Sequence, residues 1–181
     1  TAPTETTKYW LDNSAGSTQV WQLKQYVQSG WRTTHWYDPI GKVFSAKPPF
    51  YVLSTGQSNM QGAGDGPMGD TARDNRVLVS WNGGGFGVWA IGSSANIAFH
   101  FAKKIAQSEN RIVRVVSYVS GGTEIEAWGP TGTVWTNMIN AVNSTGSNTQ
   151  KFSAILWHQG ESNVGNPPYC DGDQCYADSL Y

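Results

Sequence analysis

Apolar residues gather in four short runs, separated by longer polar and glycine-rich stretches. Residues 50–53, 76–80, 112–118 and 152–157 are each too short for a stable helix and are bounded by glycine or polar residues, a pattern that predicts buried strands. The stretches between them carry a helical period. Asn96 can cap a helix running to about Ser108, in which Ile97, Phe101 and Ile105 form an apolar stripe beside Ala98 and Ala102. His100, Lys103 and Lys104 fall off that stripe and read as a solvated face. A second helix covers 134–142, with Trp135, Met138, Ile139 and Val142 at helical spacing. Strands alternating with helices predict an α/β fold whose parallel sheet is covered on both faces.

Residues 1–48 are patterned differently. The first seven are polar and expected to be poorly ordered, and 21–29 shows no convincing period of either kind. Residues 31–37 and 42–45 flank Asp38-Pro39-Ile40-Gly41, whose residue types suit a type I turn and predict a β-hairpin rich in aromatics. A lone hairpin is marginal in water, so it must pack on the following domain, a partner chain or a preceding module. His35, within it, is expected to be structural. Ala46-Lys47-Pro48-Pro49 is a stiff connector. The expected division is an appendage at 1–48 and a main domain at 49–181.

Composition narrows the partners. With 181 residues, 39% of them hydrophobic, the chain can bury a real core. Only 14% are charged and the net charge is -1, which excludes the basic surface that nucleic acid needs. No run of 18 apolar residues exists to span a membrane. The 9 Trp, 8 Tyr and 21 Gly suit an uncharged glycan partner, because flat rings stack on sugar faces, although core packing claims many such rings. Trp81 and Trp89 are the candidate platforms. Cys170 and Cys175 can close a local loop in an oxidising setting or stay free thiols; they do not have metal-site spacing, and no metal is expected.

Three strand ends carry turns that can hold chemistry. Residues 50–53 run into Thr55-Gly56-Gln57-Ser58, where the glycine allows an abrupt turn and leaves Ser58 at a strand's carboxyl end. Residues 112–118 run into Ser120-Gly121-Gly122-Thr123, and 152–157 into His158-Gln159-Gly160-Glu161. In a parallel sheet these ends share one edge, so the groups converge. Acyl transfer needs a nucleophile, a base, an acid to orient the base, and oxyanion donors. Ser58 can supply the hydroxyl and one N–H, Gly121 or Gly122 a bare backbone N–H, and Gln159 an amide donor. Each well-aimed donor is worth ~2.7–4 kcal/mol of barrier. Glu161 is the candidate orienting acid. His158 is assigned a structural hydrogen bond, since adjacent strand residues point to opposite sides, and His100 is a weaker candidate still.

Gly56-Gln57-Ser58-Asn59-Met60, Ser120-Gly121-Gly122-Thr123-x-Ile125-x-x-Trp128 and Trp157-His158-Gln159-Gly160-Glu161-Ser162 occur in the order seen in the SGNH-type carbohydrate esterases, and most resemble the sialate O-acetylesterase and acetylxylan esterase branch. The resemblance runs from about Phe50 to Glu161. It implies a three-layer α/β/α sandwich and cofactor-free, metal-free deacetylation of glycans. Ser58 would attack the acetyl carbonyl, Gly122 (or Gly121) and Gln159 would complete the oxyanion hole, and Glu161 would serve in the triad. Gln57, Asn59 and Trp128, with Trp81 and Trp89, are expected to contact substrate. The family's histidine lies in a later Asp-x-x-His motif that these 181 residues lack. The domain is therefore expected to be incomplete at its C-terminus, with the base after Tyr181. Asn163 stands where related sequences often carry Asp.

The expected function is a serine esterase that removes O-acetyl groups from a poly- or oligosaccharide through an acetyl-serine intermediate. The alternative is a non-catalytic glycan-binding or structural module of a bacteriophage tail fibre or spike. There, residues 1–48 would mediate assembly with a virion partner or further copies of the chain. A secreted bacterial esterase is the third reading, so the expected location is extracellular or virion-associated.

Overall fold

The computed structural model describes residues 9–14, 16, 18–27, 30–63, 70–90, 96–146 and 151–163. Both cysteines and the expectations for 1–7 and for the segment ending at Tyr181 lie outside them. The first sheet is an antiparallel meander of β1 (Tyr9–Asp12), β2 (Trp21–Val27), β3 (Gly30–Asp38) and β4 (Val43–Ser45), in that order. The β3–β4 turn is closed by Asp38, whose Oδ1 accepts from the N–H groups of Ile40 and Gly41 at 2.9 and 3.1 Å. A two-stranded hairpin was the expectation; the pair is instead half of a four-stranded sheet. Residues 21–27 form a strand despite their lack of period. Every residue of β2 is half-buried, so neither face imposes a polar–apolar alternation.

The second sheet contains β5 (Phe50–Gly56), β6 (Val77–Trp81), β7 (Gly87–Val88), β8 (Val113–Val119) and β9 (Ala154–His158), in the order β7-β6-β8-β5-β9. The last four of that order are parallel, whereas β7 runs antiparallel to β6. The sheet is thus mixed, not wholly parallel. Successive strand residues face opposite ways. Val52, Val77, Val79, Val113 and Val115 pack with Ala98, Phe99, Ala102 and Ala106 of α2 (Ile97–Glu109). Leu53 and Val116 pack with Val134, Met138 and Val142 of α3 (Thr133–Ser144).

The Asn96 side chain caps α2 by accepting from Phe99 N–H at 2.9 Å. The buried face of α2 is rotated from the expected stripe: Ile97 is exposed, while Phe99 and Lys103 are buried. Lys103 reads as solvated from its charge alone. Its stem covers the core and its ammonium reaches out to the Asp70 and Ala72 carbonyls at 3.1 and 2.6 Å and to the Asp70 carboxylate at 2.7 Å. His100 is likewise half-buried, with its ring edge-on to Phe99.

The meander is seated on the α/β unit. Arg114, near the start of β8, pairs with Asp38 at 2.7 Å, and both side chains are fully buried. The guanidinium also lies over the Phe86 ring, 4.5 Å from its centre. Gln19 Nε2 donates to the Thr145 carbonyl at 3.0 Å.

Candidate active site

Strand β5 ends at Gly56, with φ +136°. A Cβ here would collide with the His158 carbonyl, so only glycine allows β5 and β9 to close at this level. Gln57 N–H then donates to the His158 carbonyl at 2.9 Å, and Ser120 N–H donates to the Gly56 carbonyl at 3.0 Å. The carboxyl ends of β5, β8 and β9 are thereby tied together. The next residues form a single turn of helix, α1 (Ser58–Gln61), which stops at Gly62 in the left-handed region.

Ser58 is half-buried at the start of that turn. A Cβ built on Gly121 would lie 3.6 Å from the Ser58 Cβ, so bare backbone passes at side-chain contact distance from the serine. Gly122, at φ +67°, has open space where a side chain would be. Among the described residues, the Ser58 hydroxyl and the N–H groups of Ser58, Gly121 and Gly122 make no hydrogen bond. A hydroxyl and several donors thus share one edge of the sheet.

The wall beside them is heavily braced. Gln159, buried, donates from Nε2 to the Thr123 carbonyl at 3.0 Å and to Asn163 Oδ1 at 3.1 Å. Both of its N–H groups are spent there, so oxyanion donation would require breaking one of these bonds. Asn163 Oδ1 also accepts from Ile125 N–H at 3.0 Å. Trp128 donates from Nε1 to the Thr123 hydroxyl at 3.0 Å, which in turn donates to the Ser120 carbonyl at 2.8 Å. Asn163 is the brace that sequence reasoning undervalued; its place two residues after Glu161 was the available signal.

Glu161 and Asn59 meet: Asn59 Nδ2 donates to Glu161 Oε1 at 2.5 Å. The same oxygen lies 3.2 Å from His158 Nε2, an i,i+3 pair with both side chains partly exposed. His158 therefore sits at the rim beside the acid, whereas Gln159 turns to the wall. The sequence signal for this pair was the His-x-x-Glu spacing.

Three expected substrate contacts are corrected. Gln57 is 2% exposed, beneath the turn rather than on it. Trp89 is 2% exposed and packs edge-on against Phe99 in the core. Trp128 is 5% exposed and belongs to the α3-side core. In each case burial against the sheet won over display. Trp81 alone of the three tryptophans is partly exposed, its ring edge-on to Trp89.

In class, this is an α/β protein whose candidate site lies along the carboxyl edge of its larger sheet. Residues 90–179 match the model of a family described as carbohydrate esterase, sialic acid-specific acetylesterase. That stretch, just short of half the chain, contains Gly121, Gly122, Gln159 and Glu161 and leaves out Ser58. Among solved structures, the chain is similar to a protein from Arabidopsis thaliana at 21% identity and TM-score 0.54, covering 65% of this chain and 60% of that one. It is also similar to a carbohydrate acetylesterase from Xanthomonas citri at 20% identity and TM-score 0.48, covering 79% of this chain and 37% of that one. The chain thus spans less than two thirds of either neighbour. The first of these likenesses shows a shared α/β fold. No curated protein sequence matches the chain.

Proposed function

We propose that the chain carries the nucleophile and oxyanion donors of a serine esterase that removes O-acetyl groups from a glycan. The observation that carries this reading is the approach of the Gly121 backbone to Ser58, with the hydroxyl and the nearby N–H groups left unpaired. Similarity of residues 90–179 to the carbohydrate esterase family supports acetyl esters as the bond cleaved.

In the proposed reaction, Ser58 Oγ attacks the acetyl carbonyl carbon and its proton passes to a histidine. The developing oxyanion takes hydrogen bonds from the N–H groups of Ser58 and of Gly121 or Gly122, each worth ~2.7–4 kcal/mol of barrier when well aimed. The histidine returns the proton to the departing sugar oxygen, leaving acetyl-serine. Water, deprotonated by the same histidine, then releases acetate and restores Ser58. The family resemblance puts that histidine in a later Asp-x-x-His segment. His158, already 3.2 Å from Glu161, is the second candidate.

Hydrolysis of a chromogenic acetyl ester and acetate release from an O-acetylated polysaccharide test the reading on the full chain. Ser58→Ala should lower both by about 10⁴-fold or more while leaving the circular dichroism spectrum unchanged. His158→Ala should do the same only if His158 is the base. A folded full chain with no turnover would leave the non-catalytic glycan-binding module.

A further inference from the structure

Two adjoining cavities open beside the site, and acyl transfer uses neither. One, about 450 Å³, lies between the carboxyl ends of β6 and β8 and helix α3, and is lined by Asn82, Tyr118, Asn137, Asn140 and Ser144. The other, about 460 Å³, continues past the shared Gly83 and Ser144 to Asn143 and to Gln19 of the meander. Both fall in the size range of small-ligand sites.

Their shared wall is fixed. Asn82 N–H donates to the Ser117 carbonyl at 2.8 Å, and Gly84 N–H closes the turn on the Trp81 carbonyl at 2.8 Å. Ser144 Oγ lies 2.9 Å from the Gly83 carbonyl, and a Cβ on Gly83 would press on that oxygen at 2.7 Å. The turn and α3 are thus clamped. By contrast, the amides of Asn82, Asn137 and Asn140 have no hydrogen-bond partner among the described residues. Each offers a donor and an acceptor, as a sugar hydroxyl requires.

Position links this groove to the nucleophile. Strand β8 lies next to β5 in the sheet, about 4.8 Å away. Val119 lines the groove, and Gly121, two residues on, stands against Ser58. A glycan with its acetyl group at Ser58 would lay a neighbouring unit here.

Charge selects the kind of unit. The described residues that directly follow β5, β6, β8 and β9 at this edge (57–63, 82–86, 120–132 and 159–163) contain neither Lys nor Arg. Glu124, Glu126 and Glu161 stand there instead. Lys47, Arg76, Arg111, Arg114 and Lys151 lie at or before the opposite, amino ends of the strands. His158 is at this edge, and Glu161 faces it. A carboxylate-bearing sugar such as a sialic or uronic acid finds neither Lys nor Arg among these described residues and meets several acids.

We propose that the groove of Asn82, Asn137 and Asn140 is a subsite for an uncharged sugar unit next to the acetylated one, and that the acidic edge selects against carboxylated glycans. This rests on the esterase reading for placing the acetylated unit at Ser58.

The test is binding of Ser58→Ala protein to an array of neutral and carboxylated oligosaccharides of matched length, with dissociation constants from titration calorimetry on those retained. Neutral oligosaccharides should be retained and carboxylated ones should bind at least 10-fold more weakly. Asn137→Leu combined with Asn140→Leu should weaken the neutral set by 10-fold or more. Asn140→Asp, which keeps the side-chain shape at an exposed position, should weaken it in the same direction without unfolding the protein. Preference for carboxylated glycans, binding that ignores these variants, or no glycan bound would overturn the proposal. Hydrolysis of a chromogenic acetyl ester by unmodified protein reports separately on the esterase reading. If that fails while neutral glycans bind through Asn137 and Asn140, the esterase reading falls and the subsite stands.

Discussion

Gly56 and His158 are packed so closely that nothing larger than hydrogen fits between the Gly56 α-carbon and the His158 carbonyl. The contact is backbone against backbone, so no side-chain rotation can relieve it. Gly56→Ala should cost about 3 kcal/mol, the upper part of the ordinary range, since it combines a clash with an unfavourable φ. Urea denaturation measures this. Wild-type stability would show that the strand ends can part without penalty.

Gly121→Ala should behave differently. Its φ is not in the left-handed region, and the new methyl would meet Ser58 at an ordinary 3.6 Å. Stability should therefore shift by no more than about 0.5 kcal/mol. If Ser58 acts as proposed, the methyl crowds the place where the acyl group must sit, and kcat/KM for an acetyl ester should fall about 10-fold, a barrier increase of ~1.4 kcal/mol. Unchanged kinetics would move the reacting centre away from Gly121.

Asp38→Ala leaves the Arg114 guanidinium buried without its counter-charge and removes the acceptor that closes the β3–β4 turn. Breaking a buried pair in this way costs ~3–5 kcal/mol. The expected result is one cooperative transition at much lower urea. Separate unfolding of the meander, with the α/β unit unaffected, would contradict the seating described above.

Acid should weaken the fold through Asp74. Burial works to raise its pKa, but hydrogen bonds from the Arg76 side chain and N–H, together with the Arg76 charge, outweigh that and hold it below the usual carboxylate value. Asp12, bonded by Lys24, and Asp70, bonded by Lys103, are lowered as well. A carboxyl depressed on folding contributes stability that is fully present above its unfolded value, about 3.9, and is lost as pH falls through the lower folded value. Denaturation midpoints should thus hold from pH 7 to about pH 5 and drop below pH 4. Asp74→Asn should show a shallower drop, and an identical drop would remove Asp74 from the cause.

Much of the larger sheet was legible because its strands are short, apolar and cut off by glycine or polar residues. The runs at 112–118 and 152–157 became β8 and β9 within two residues at each end. Strand β2 was not legible, because a strand half-covered on both sides has no reason to alternate. The two-residue β7 is too short to carry a pattern at all. The order of motifs placed Ser58 and Gly121 together, but which face a side chain takes was beyond it. Gln57, Trp89 and Trp128 look like display residues by type and are buried by packing. Lys103 shows the converse, since a long stem lets a charge begin in the core and end at a loop carbonyl.

The pairing of basic side chains at the amino end of the sheet has a consequence for encounters at a distance. Arg114 stands beside Asp38, Arg76 beside Asp74, and Lys47 and Arg111 beside Glu109, so these charges largely cancel a short way out from the surface. The rate at which the protein meets a charged polymer should therefore change little when salt is added.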